Sequence, residues 1–337
     1  MAFRFAVVIP TYRGVATIAQ TFASIIKQPS SSIEYALVVV IDGPNQELRE
    51  IVDRQKNLFT SKGIKFTIEQ FTHNNGRFAA RKVGANLATS NKLLFIDDRV
   101  QLADGFFNHL MRLDESVAMP AVTELASNNV ISKTMNLIRR RMYGDKWGLH
   151  FEDYYIDKSN FERSPKGTTC LWVDKNLFLD ACTRVKQTKG VDSRFVNEDT
   201  KILRDMVEHG AKILRTAKLN VYYRPRDNFG ASLKHLYERG PRFIDYYSQP
   251  KTRFFPVLIS IYLIAAGLIL AVIFKPIIVL GVMAGFAVIV ILVALAISRS
   301  PIEFVVSIVG IPLISISFSL GVLKGTLLKA GALLLRS

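Results

Sequence analysis

The sequence predicts an α/β domain, with helices covering both faces of a mainly parallel sheet, followed by a helical membrane region. Two observations lead to this fold class. Short apolar runs alternate with segments of helical spacing as far as residue 96, and this alternation favours a parallel sheet covered on both faces. After Phe254 the chain is almost continuously apolar, and this raises the hydrophobic share of the 337 residues to 49%.

The elements of the α/β region follow from the spacing of apolar residues. The expected strands are Phe5–Ile9, Tyr35–Ile41, Lys65–Phe71, Leu93–Ile96 and Cys170–Val173. The expected helices are Val15–Ile26, Glu47–Phe59, Arg77–Ala88, Val130–Met142 and Glu198–His209. Residues 143–167 are aromatic and charged without a period, and they predict a loop.

The C-terminal part is predicted to be embedded in a membrane. Three apolar segments, at about 254–274, 276–297 and 304–323, are each about long enough to cross roughly 30 Å of hydrocarbon. Core helices of a soluble protein are the less favoured alternative. Before them, residues 231–250 predict an amphipathic helix at the bilayer surface, with Arg239 and Arg242 at the interface. The expected organisation is therefore an α/β domain at 1–230, an interfacial helix at 231–250 and a membrane region with two or three spans at 251–337.

The basic residues predict the orientation. No signal-peptide pattern opens the chain, and Lys251 and Arg253 precede the first span, so the α/β domain is expected on the cytoplasmic side of an integral membrane protein. Three spans would leave Lys324, Lys329 and Arg336 on the opposite side, against the positive-inside rule. The number of spans and the side of the C-terminus therefore stay open.

Charge and cysteine content restrict the class of partner. The net charge of +16 is scattered along the chain, which favours phosphorylated substrates and a membrane surface over a nucleic acid polymer. The two cysteines, Cys170 and Cys182, suit free thiols in a reducing compartment. The five histidines show no metal-ligand spacing.

Polar residues follow the ends of the expected strands, where parallel sheets bind ligands. Asp97 and Asp98 end one strand and could hold a divalent cation, or they could form a polar turn. The turn at Asn75 leads into a basic helix that could meet a phosphate through Arg81, or could be capped and solvated. Glu198 and Asp199 could supply a general base, or acidic residues that suit a helix N-terminus.

Together these segments resemble the family 2 glycosyltransferases. The resemblance rests on the order of five loose motifs over about the first 230 residues: Val7-Val8-Ile9-Pro10-Thr11-Tyr12, Val40-Ile41-Asp42-Gly43, Asn75-Gly76 with Ala80-Arg81, Phe95-Ile96-Asp97-Asp98, and Glu198-Asp199. It implies the GT-A fold, a mixed sheet with helices on both faces. It also implies an inverting glycosyltransferase that uses a nucleotide-diphosphate sugar as donor.

The resemblance also assigns expected roles to individual residues. The nucleotide pocket would be lined by Pro10, Thr11 and Tyr12, with Asp42 reading the base. Arg81 would lie near the diphosphate. Asn75, Asp97 and Asp98 would also bind the nucleotide sugar, with Asp97 and Asp98 in the first two places of the family's aspartate motif. Asp199 matches the catalytic base, beside Glu198.

One position departs from the family pattern, because Arg99 stands where the aspartate motif has its last carboxylate. This leaves Asp98 as the single candidate ligand for the Mn²⁺ or Mg²⁺ that the family implies. Either Asp98 substitutes, or Arg99 supplies the positive charge, or transfer activity is lost and the protein has a binding or assembly role. Few spans and no matching processive motif favour transfer of one sugar to a lipid or lipid-linked acceptor. The sequence makes no prediction of oligomeric state.

Overall fold

The computed structural model describes residues 4–28, 33–185, 196–274 and 278–334. These residues divide into two compact units. The first lies within Met1–Ala126, Asp145–Gln187 and Glu198–Pro225, and the second lies within Ser127–Gly144, Thr188–Asn197 and Arg226–Ser337. The second unit therefore includes a segment inserted between parts of the first.

The described residues of the first unit form a nine-stranded mixed sheet. Its strands are β1 (Phe5–Thr11), β2 (Tyr35–Ile41), β3 (Lys65–Gln70), β4 (Lys92–Ile96), β5 (Val100–Leu102), β6 (Val117–Glu124), β7 (Tyr154–Ile156), β8 (Cys170–Asp174) and β9 (Ile213–Tyr223). The order is β3-β2-β1-β4-β8-β6-β9-β5, with β7 also paired to β9. Strands β3, β2, β1 and β4 are parallel, and β8 is antiparallel to both β4 and β6.

Helices cover both faces of this sheet. Those of the first unit are α1 (Ile18–Ile26), α2 (Gln46–Thr60), α3 (Arg77–Leu87), α4 (Phe106–Leu110), α6 (Lys175–Arg184) and α7 (Glu198–Glu208). Phe5, Val7 and Ile9 of β1 share one buried cluster with residues of α1, α2 and α4. On the opposite face, Phe95 of β4 packs against Phe178 of α6 with ring centroids 4.5 Å apart. Alternation of side chains along each strand thus supplies two apolar layers.

The fold class is confirmed: a mixed sheet with helices, followed by apolar C-terminal helices. The elements expected in the first 96 residues are present with ends shifted by a few residues at most. Strands β5, β6, β7 and β9 and helices α4 and α6 were not predicted. The pairing of β6 with β9 shifts in register between Pro120 and Ala121, next to a proline that has no N–H to donate to the ladder. The predicted loop at 143–167 was wrong in part, since it contains β7.

The second unit is helical in its described residues. It contains α5 (Val130–Tyr143), α8 (Phe229–Tyr247), α9 (Phe255–Phe274), α10 (Ile278–Ile297) and α11 (Pro301–Leu334). By length and composition, α10 over Leu280–Ile297 and α11 over Pro301–Gly331 could each cross a membrane, and α9 adds a shorter apolar segment at Phe255–Gly267. The segment expected at 304–323 is part of a 34-residue helix that continues through Pro312.

Candidate functional site

Asp42 ties the end of β2 to the turn that precedes α3. Its backbone N–H donates to the Thr11 carbonyl oxygen at 2.7 Å. Its Oδ1 accepts from the N–H groups of Asn75, at 2.7 Å, and Gly76, at 3.2 Å. Gly76 has a φ of 88°, a left-handed value that favours glycine. Burial raises the pKa of Asp42, and the two N–H donors oppose that shift.

Thr11 joins the ends of β1 and β4. Its hydroxyl donates to Asp98 Oδ2 at 2.6 Å, and Thr11 is only 3% exposed. A 3-10 turn at Gly14–Ala16 passes directly over this pair. A Cβ atom on Gly14 would lie 2.5 Å from both Asp98 Oδ2 and Thr11 Oγ1. The backbone can therefore approach the Thr11–Asp98 pair this closely only where residue 14 has no side chain.

Arg81, in the middle of α3, bridges β4 and α7. The residue is 2% exposed. One guanidinium nitrogen donates to Asp97 Oδ1 at 2.8 Å and to the Thr168 carbonyl oxygen at 3.4 Å, and the other donates to Asp199 Oδ1. Burial raises the pKa of Asp97 more than the charge of Arg81 lowers it. The Arg81 guanidinium is thus a buried link between two carboxylates.

Asp199, in the first turn of α7, lies between two guanidinium groups. Besides its bond to Arg81, its Oδ2 is 3.7 Å from an Nη of Arg77. Asp199 keeps 19% of its side chain exposed and Arg77 keeps 42%, so this end of the cluster is open to solvent. The charge of Asp199 raises the pKa of Arg77. A carboxylate and a cation are therefore presented side by side.

Glu198 has different surroundings from its neighbour. It is 4% exposed, and its Oε2 has no hydrogen-bond partner among the residues described. Burial, with the charge of Asp199 as the second cause, raises its pKa to about 7. The two adjacent acidic residues therefore have different environments: Asp199 is paired and partly exposed, whereas Glu198 is buried.

Two arginines are adjacent at the edge between β5 and β9. The backbone N–H of Arg224 donates to the Arg99 carbonyl oxygen at 2.9 Å, and Arg99 Nη1 lies 3.5 Å from the Pro225 carbonyl oxygen. Within the part of the chain that the structure describes, Arg224 Nε is buried without a hydrogen-bond partner. Sequence analysis missed Arg224, because no motif includes it and its position beside Arg99 depends on pairing between β5 and β9.

Pro10 and Tyr12 flank Thr11 at the end of β1. Pro10 is buried within the strand, whereas Tyr12 is 37% exposed. The Arg13 guanidinium carbon lies 4.9 Å from the centroid of the Tyr12 ring. A hydrogen bond with Asn74 lowers the pKa of the Tyr12 hydroxyl. The Tyr12 ring thus presents an aromatic surface near the strand ends.

The carboxylates do not fit a cation site with three protein ligands. Asp97 Oδ1 accepts from Arg81, and Asp98 Oδ2 accepts from Thr11. Within the described ranges, no three His, Cys, Asp or Glu side chains group together in a way that could hold a metal ion. The next position is the cation Arg99. Asp98 is therefore followed by a cation and not by the last carboxylate of the family motif.

The structure thus brings several of the predicted site residues into two linked groups. One joins Asp42, Thr11 and Asp98, and the other joins Asp97, Arg81, Asp199 and Arg77. The peptide bond between Asp97 and Asp98 connects them. Arg239 and Arg242 belong to α8 of the second unit, where Arg239 is exposed. Chemically, the first unit offers a carboxylate that can accept a proton, beside cations that can bind a phosphate.

Part of the chain matches the model of a known protein family. Residues 6–151 match the family model "Glycosyl transferase family 2". This stretch contains β1 to β4 and the residues from Pro10 to Arg99 that were singled out above. A search of curated proteins found no match.

Two solved structures are similar to this chain. S. aureus TarS 1–349 in complex with UDP-GlcNAc superposes with a TM-score of 0.51 at 14% identity, over 76% of each chain. GalNAc-T7 with UDP, GalNAc and Mn²⁺ gives a TM-score of 0.47 at 15% identity, over 74% of this chain and 52% of the other. At this level of identity, the likeness to TarS is evidence for the fold.

Proposed function

We propose that this chain, a family 2 glycosyltransferase with the GT-A fold, transfers one sugar from a nucleotide-diphosphate sugar to a lipid or lipid-linked acceptor, with inversion at the anomeric carbon. The observation that carries the proposal is the position of Asp199. Its carboxylate is held beside Arg81 and Arg77, and it remains partly exposed. This is the arrangement expected of a base that must reach an incoming hydroxyl.

The donor class is supported by the strand ends and by the relatives. Asp42, Thr11 and Asp98 are linked at the carboxyl ends of three parallel strands, which is where α/β sheets bind nucleotides. TarS 1–349 is described with UDP-GlcNAc and GalNAc-T7 with UDP. In this chain, Tyr12 offers an aromatic surface for a base, and Asp42 accepts hydrogen bonds beside it.

The reaction is a single displacement. Asp199 removes the proton from an acceptor hydroxyl, and the oxygen forms a bond to the anomeric carbon as the bond to the nucleotide diphosphate breaks. The electron pair leaves with the diphosphate, and the product has inverted configuration. Arg77, which lies beside Asp199, and Arg99, which follows Asp98 and pairs with Arg224 through the backbone, would neutralise the charge developing on the leaving group.

The C-terminal helices support the proposed acceptor and location. Helices α10 and α11 are long and apolar enough to cross a membrane. Only 17% of the apolar segment of α10 and 28% of the apolar segment of α11 are buried, whereas core helices of a soluble protein are mostly buried. A membrane would hold a lipid acceptor at high local concentration. The basic residues Lys251 and Arg253 before α9 support a cytoplasmic position for the transferase domain.

A second function, binding of a nucleotide without sugar transfer, is considered because Arg99 replaces a carboxylate of the family motif. A protein that had lost transfer could still bind a nucleotide and serve in assembly. Loss of activity would not require loss of the network around Arg81, because that network is also structural.

A donor screen on the purified full-length protein distinguishes the two functions. UDP- and GDP-sugars would be tested by thermal shift for binding, and by release of free nucleotide in the presence of membrane lipid extract for transfer. The proposal predicts a shift with at least one donor and lipid-dependent nucleotide release with that same donor. Binding without release would favour the assembly role, and neither binding nor release would contradict both.

A further inference from the structure

Helix α11 exposes apolar side chains along one face. The large apolar residues that are most exposed recur at separations of three, four or seven positions: Ile302, Val305, Val309, Ile316, Leu320, Leu323 and Leu327. This spacing places them on a single stripe of an α-helix. The residues buried most deeply on α11, Ser307, Gly310, Ile311, Gly321 and Gly325, lie on the opposite face.

Helices α9 and α10 differ from α11 in this respect. On α10, exposed apolar residues occur on all sides, including Leu280, Met283, Val288, Ile289, Ile291, Leu292 and Leu295. On α9, Val257, Ile259, Ile261 and Leu263 are exposed at intervals of two residues, which also points in all directions around a helix. Helices that are apolar and exposed on every side suit a bilayer interior, whereas the exposed apolar residues of α11 are confined to the side that α5 and α8 leave uncovered.

The covered face of α11 packs against the two amphipathic helices of the same unit. Near its start, Arg140 of α5 forms a bidentate ion pair with Glu303, with distances of 3.0 and 2.7 Å. Further along, Ser317 Oγ donates to the Leu233 carbonyl oxygen of α8 at 2.7 Å. A Cβ on Gly321 would lie 2.1 Å from the Tyr237 carbonyl oxygen, so the two helices pack backbone against backbone. The amphipathic helices α5 and α8 therefore line one side of α11 along most of its length.

Residues near each end of α11 form hydrogen bonds with residues that flank or belong to the α9–α10 pair. At the start of α11, the Arg299 N–H donates to Glu303 Oε2 at 2.6 Å. Near its end, Thr326 is hydrogen-bonded to Tyr262 of α9 at 2.5 Å, and Lys329 Nζ donates to Ser248 Oγ. Ser248 precedes α9, and Arg299 follows α10.

This connection restricts the path of α11. If α9 and α10 both cross the bilayer, the chain returns to its starting side, and Ser248 and Arg299 lie on that same side. Glu303 and Lys329 are 26 residues apart, a distance of about 39 Å along a helix, which is more than the roughly 30 Å of hydrocarbon. A crossing helix would put Lys329 on the side opposite Arg299, yet Lys329 contacts Ser248.

We propose that α9 and α10 form the only membrane-crossing pair among the described helices, and that α11 lies in the plane of the membrane with its apolar stripe against the acyl chains and its other face on α5 and α8. The occupant of the stripe is the lipid bilayer, because α11 packs against α10 through Ile311 and bonds to α9 through Thr326, and both of those helices are apolar on every side. Lys324 and Lys329 then stay on the side of Lys251 and Arg253, in agreement with the positive-inside rule.

Depth measurements on the full-length protein in phospholipid vesicles test this proposal. Nitroxide labels would be attached to single cysteines in the variants Val305→Cys, Ile316→Cys and Leu327→Cys, with Ile289→Cys in the middle of α10 as the deep control. The native Cys170 and Cys182 are buried, and burial raises the pKa of both thiols, so unsubstituted protein serves as the labelling blank. Depth is read from the relative access of oxygen and of a water-soluble nickel chelate.

The in-plane arrangement predicts one shallow depth for the three α11 labels, well above that of residue 289. A label at 316 as deep as the control, with shallow labels at 305 and 327, would overturn the proposal in favour of a third span. Full access of the nickel chelate to all three labels would also overturn it, since the stripe would then face water or a protein partner.

Sidedness gives an independent readout. The proposal predicts that a membrane-impermeant maleimide labels Lys251→Cys and a cysteine appended after Ser337 from the same side of sealed vesicles. Labelling from opposite sides would contradict it. The inference rests on the proposed membrane attachment and not on sugar transfer, so the same depths are expected in an Asp199→Asn background that lacks activity.

Discussion

The Arg81 guanidinium on α3 donates hydrogen bonds to Asp97 at the end of β4 and to Asp199 at the start of α7. These residues are separated by 16 and 118 positions in the chain, so one buried side chain joins three elements. Because Arg81 is 2% exposed, its main effect in the structure described is to hold the two carboxylates in place. Direct contact of Arg81 with a diphosphate stays a prediction.

Loss of the Arg81 charge is expected to destabilise the first unit. Arg81→Gln leaves Asp97 and Asp199 without their buried cation, and removal of one partner from such a pair costs about 3 kcal/mol. The expected result is a clear fall in Tm in detergent. Arg49→Gln is the matched control, because the Arg49–Asp53 pair is exposed and contributes about 1 kcal/mol or less. Equal Tm values for the two variants would show that Arg81 has no structural role.

Gly14 is expected to admit no side chain. In Gly14→Ala, the new methyl group would lie 2.5 Å from both Thr11 Oγ1 and Asp98 Oδ2, so the turn or the hydrogen-bonded pair must move. We expect donor affinity, measured by calorimetry, to fall at least about tenfold, which corresponds to about 1.4 kcal/mol. Gly285→Ala on α10 is the control, since its Cβ would meet nothing within 4 Å. Unchanged affinity in Gly14→Ala would remove this turn from the donor site.

Glu198 is expected to make stability depend on pH. Its pKa is raised from 4.5 to about 7 in the folded protein, so between these values the folded state binds more protons than the unfolded state. The contribution of Glu198 to stability therefore falls as pH rises from about 4.5 to about 7. The Glu198→Gln variant has no ionisable group at this position. The Tm of this variant minus the Tm of the unsubstituted protein should therefore increase between about pH 5 and about pH 7.

The control for this titration is Glu208→Gln, at the exposed end of α7, where Glu208 is paired with Arg204 and 55% of the side chain is exposed. The Tm difference for that variant should not rise across the same pH range. A flat profile for Glu198→Gln as well would mean that Glu198 ionises in the folded state as freely as it does in the unfolded chain.

The diphosphate charge is expected to be neutralised by arginine rather than by a divalent cation. Arg99 and Arg224 are adjacent, and Arg99 stands where the family motif has its last carboxylate. With the charge carried by these arginines, initial rates of nucleotide release should be the same in EDTA as in Mg²⁺ or Mn²⁺. Arg99→Gln should lower kcat by about 100-fold, the typical effect of removing one group that stabilises developing charge.

Arg54→Gln, which removes an exposed cation from α2, is the control for net charge and should retain full activity. A rate that EDTA abolishes and Mn²⁺ restores would contradict the arginine assignment and would make Asp98 the leading metal ligand.

The first half of the sheet was predictable because its strands are strongly apolar. All seven residues of β1 and of β2 are buried, so each strand is a continuous apolar run that ends at a polar site residue. Strands β5 and β7 have three residues each, too few for an alternating pattern. Strand β9 mixes Arg215, Lys218 and Asn220 with apolar residues, and its place in the sheet is set by pairing with β6 and β5.

The site residues also divide into those that local sequence predicts and those that depend on contacts between distant segments. Asp97, Asp98 and Asp199 could be singled out from local motifs. The pairing of Arg81 with both Asp97 and Asp199, and the position of Arg224 beside Arg99, depend on contacts between segments that are distant in sequence. Similarly, apolar length alone predicted a span at 304–323, whereas the one-sided exposure of α11 requires knowledge of what covers its other face.

The most direct test of the proposed function is to compare transfer and donor binding in Asp199→Asn. The substitution keeps the shape of the side chain and removes its ability to accept a proton. We expect transfer to fall below detection, while the Kd for the donor nucleotide stays within about threefold, or roughly 0.7 kcal/mol. Transfer at the rate of the unsubstituted enzyme would contradict the account, because the base that the displacement requires would have to be a different group.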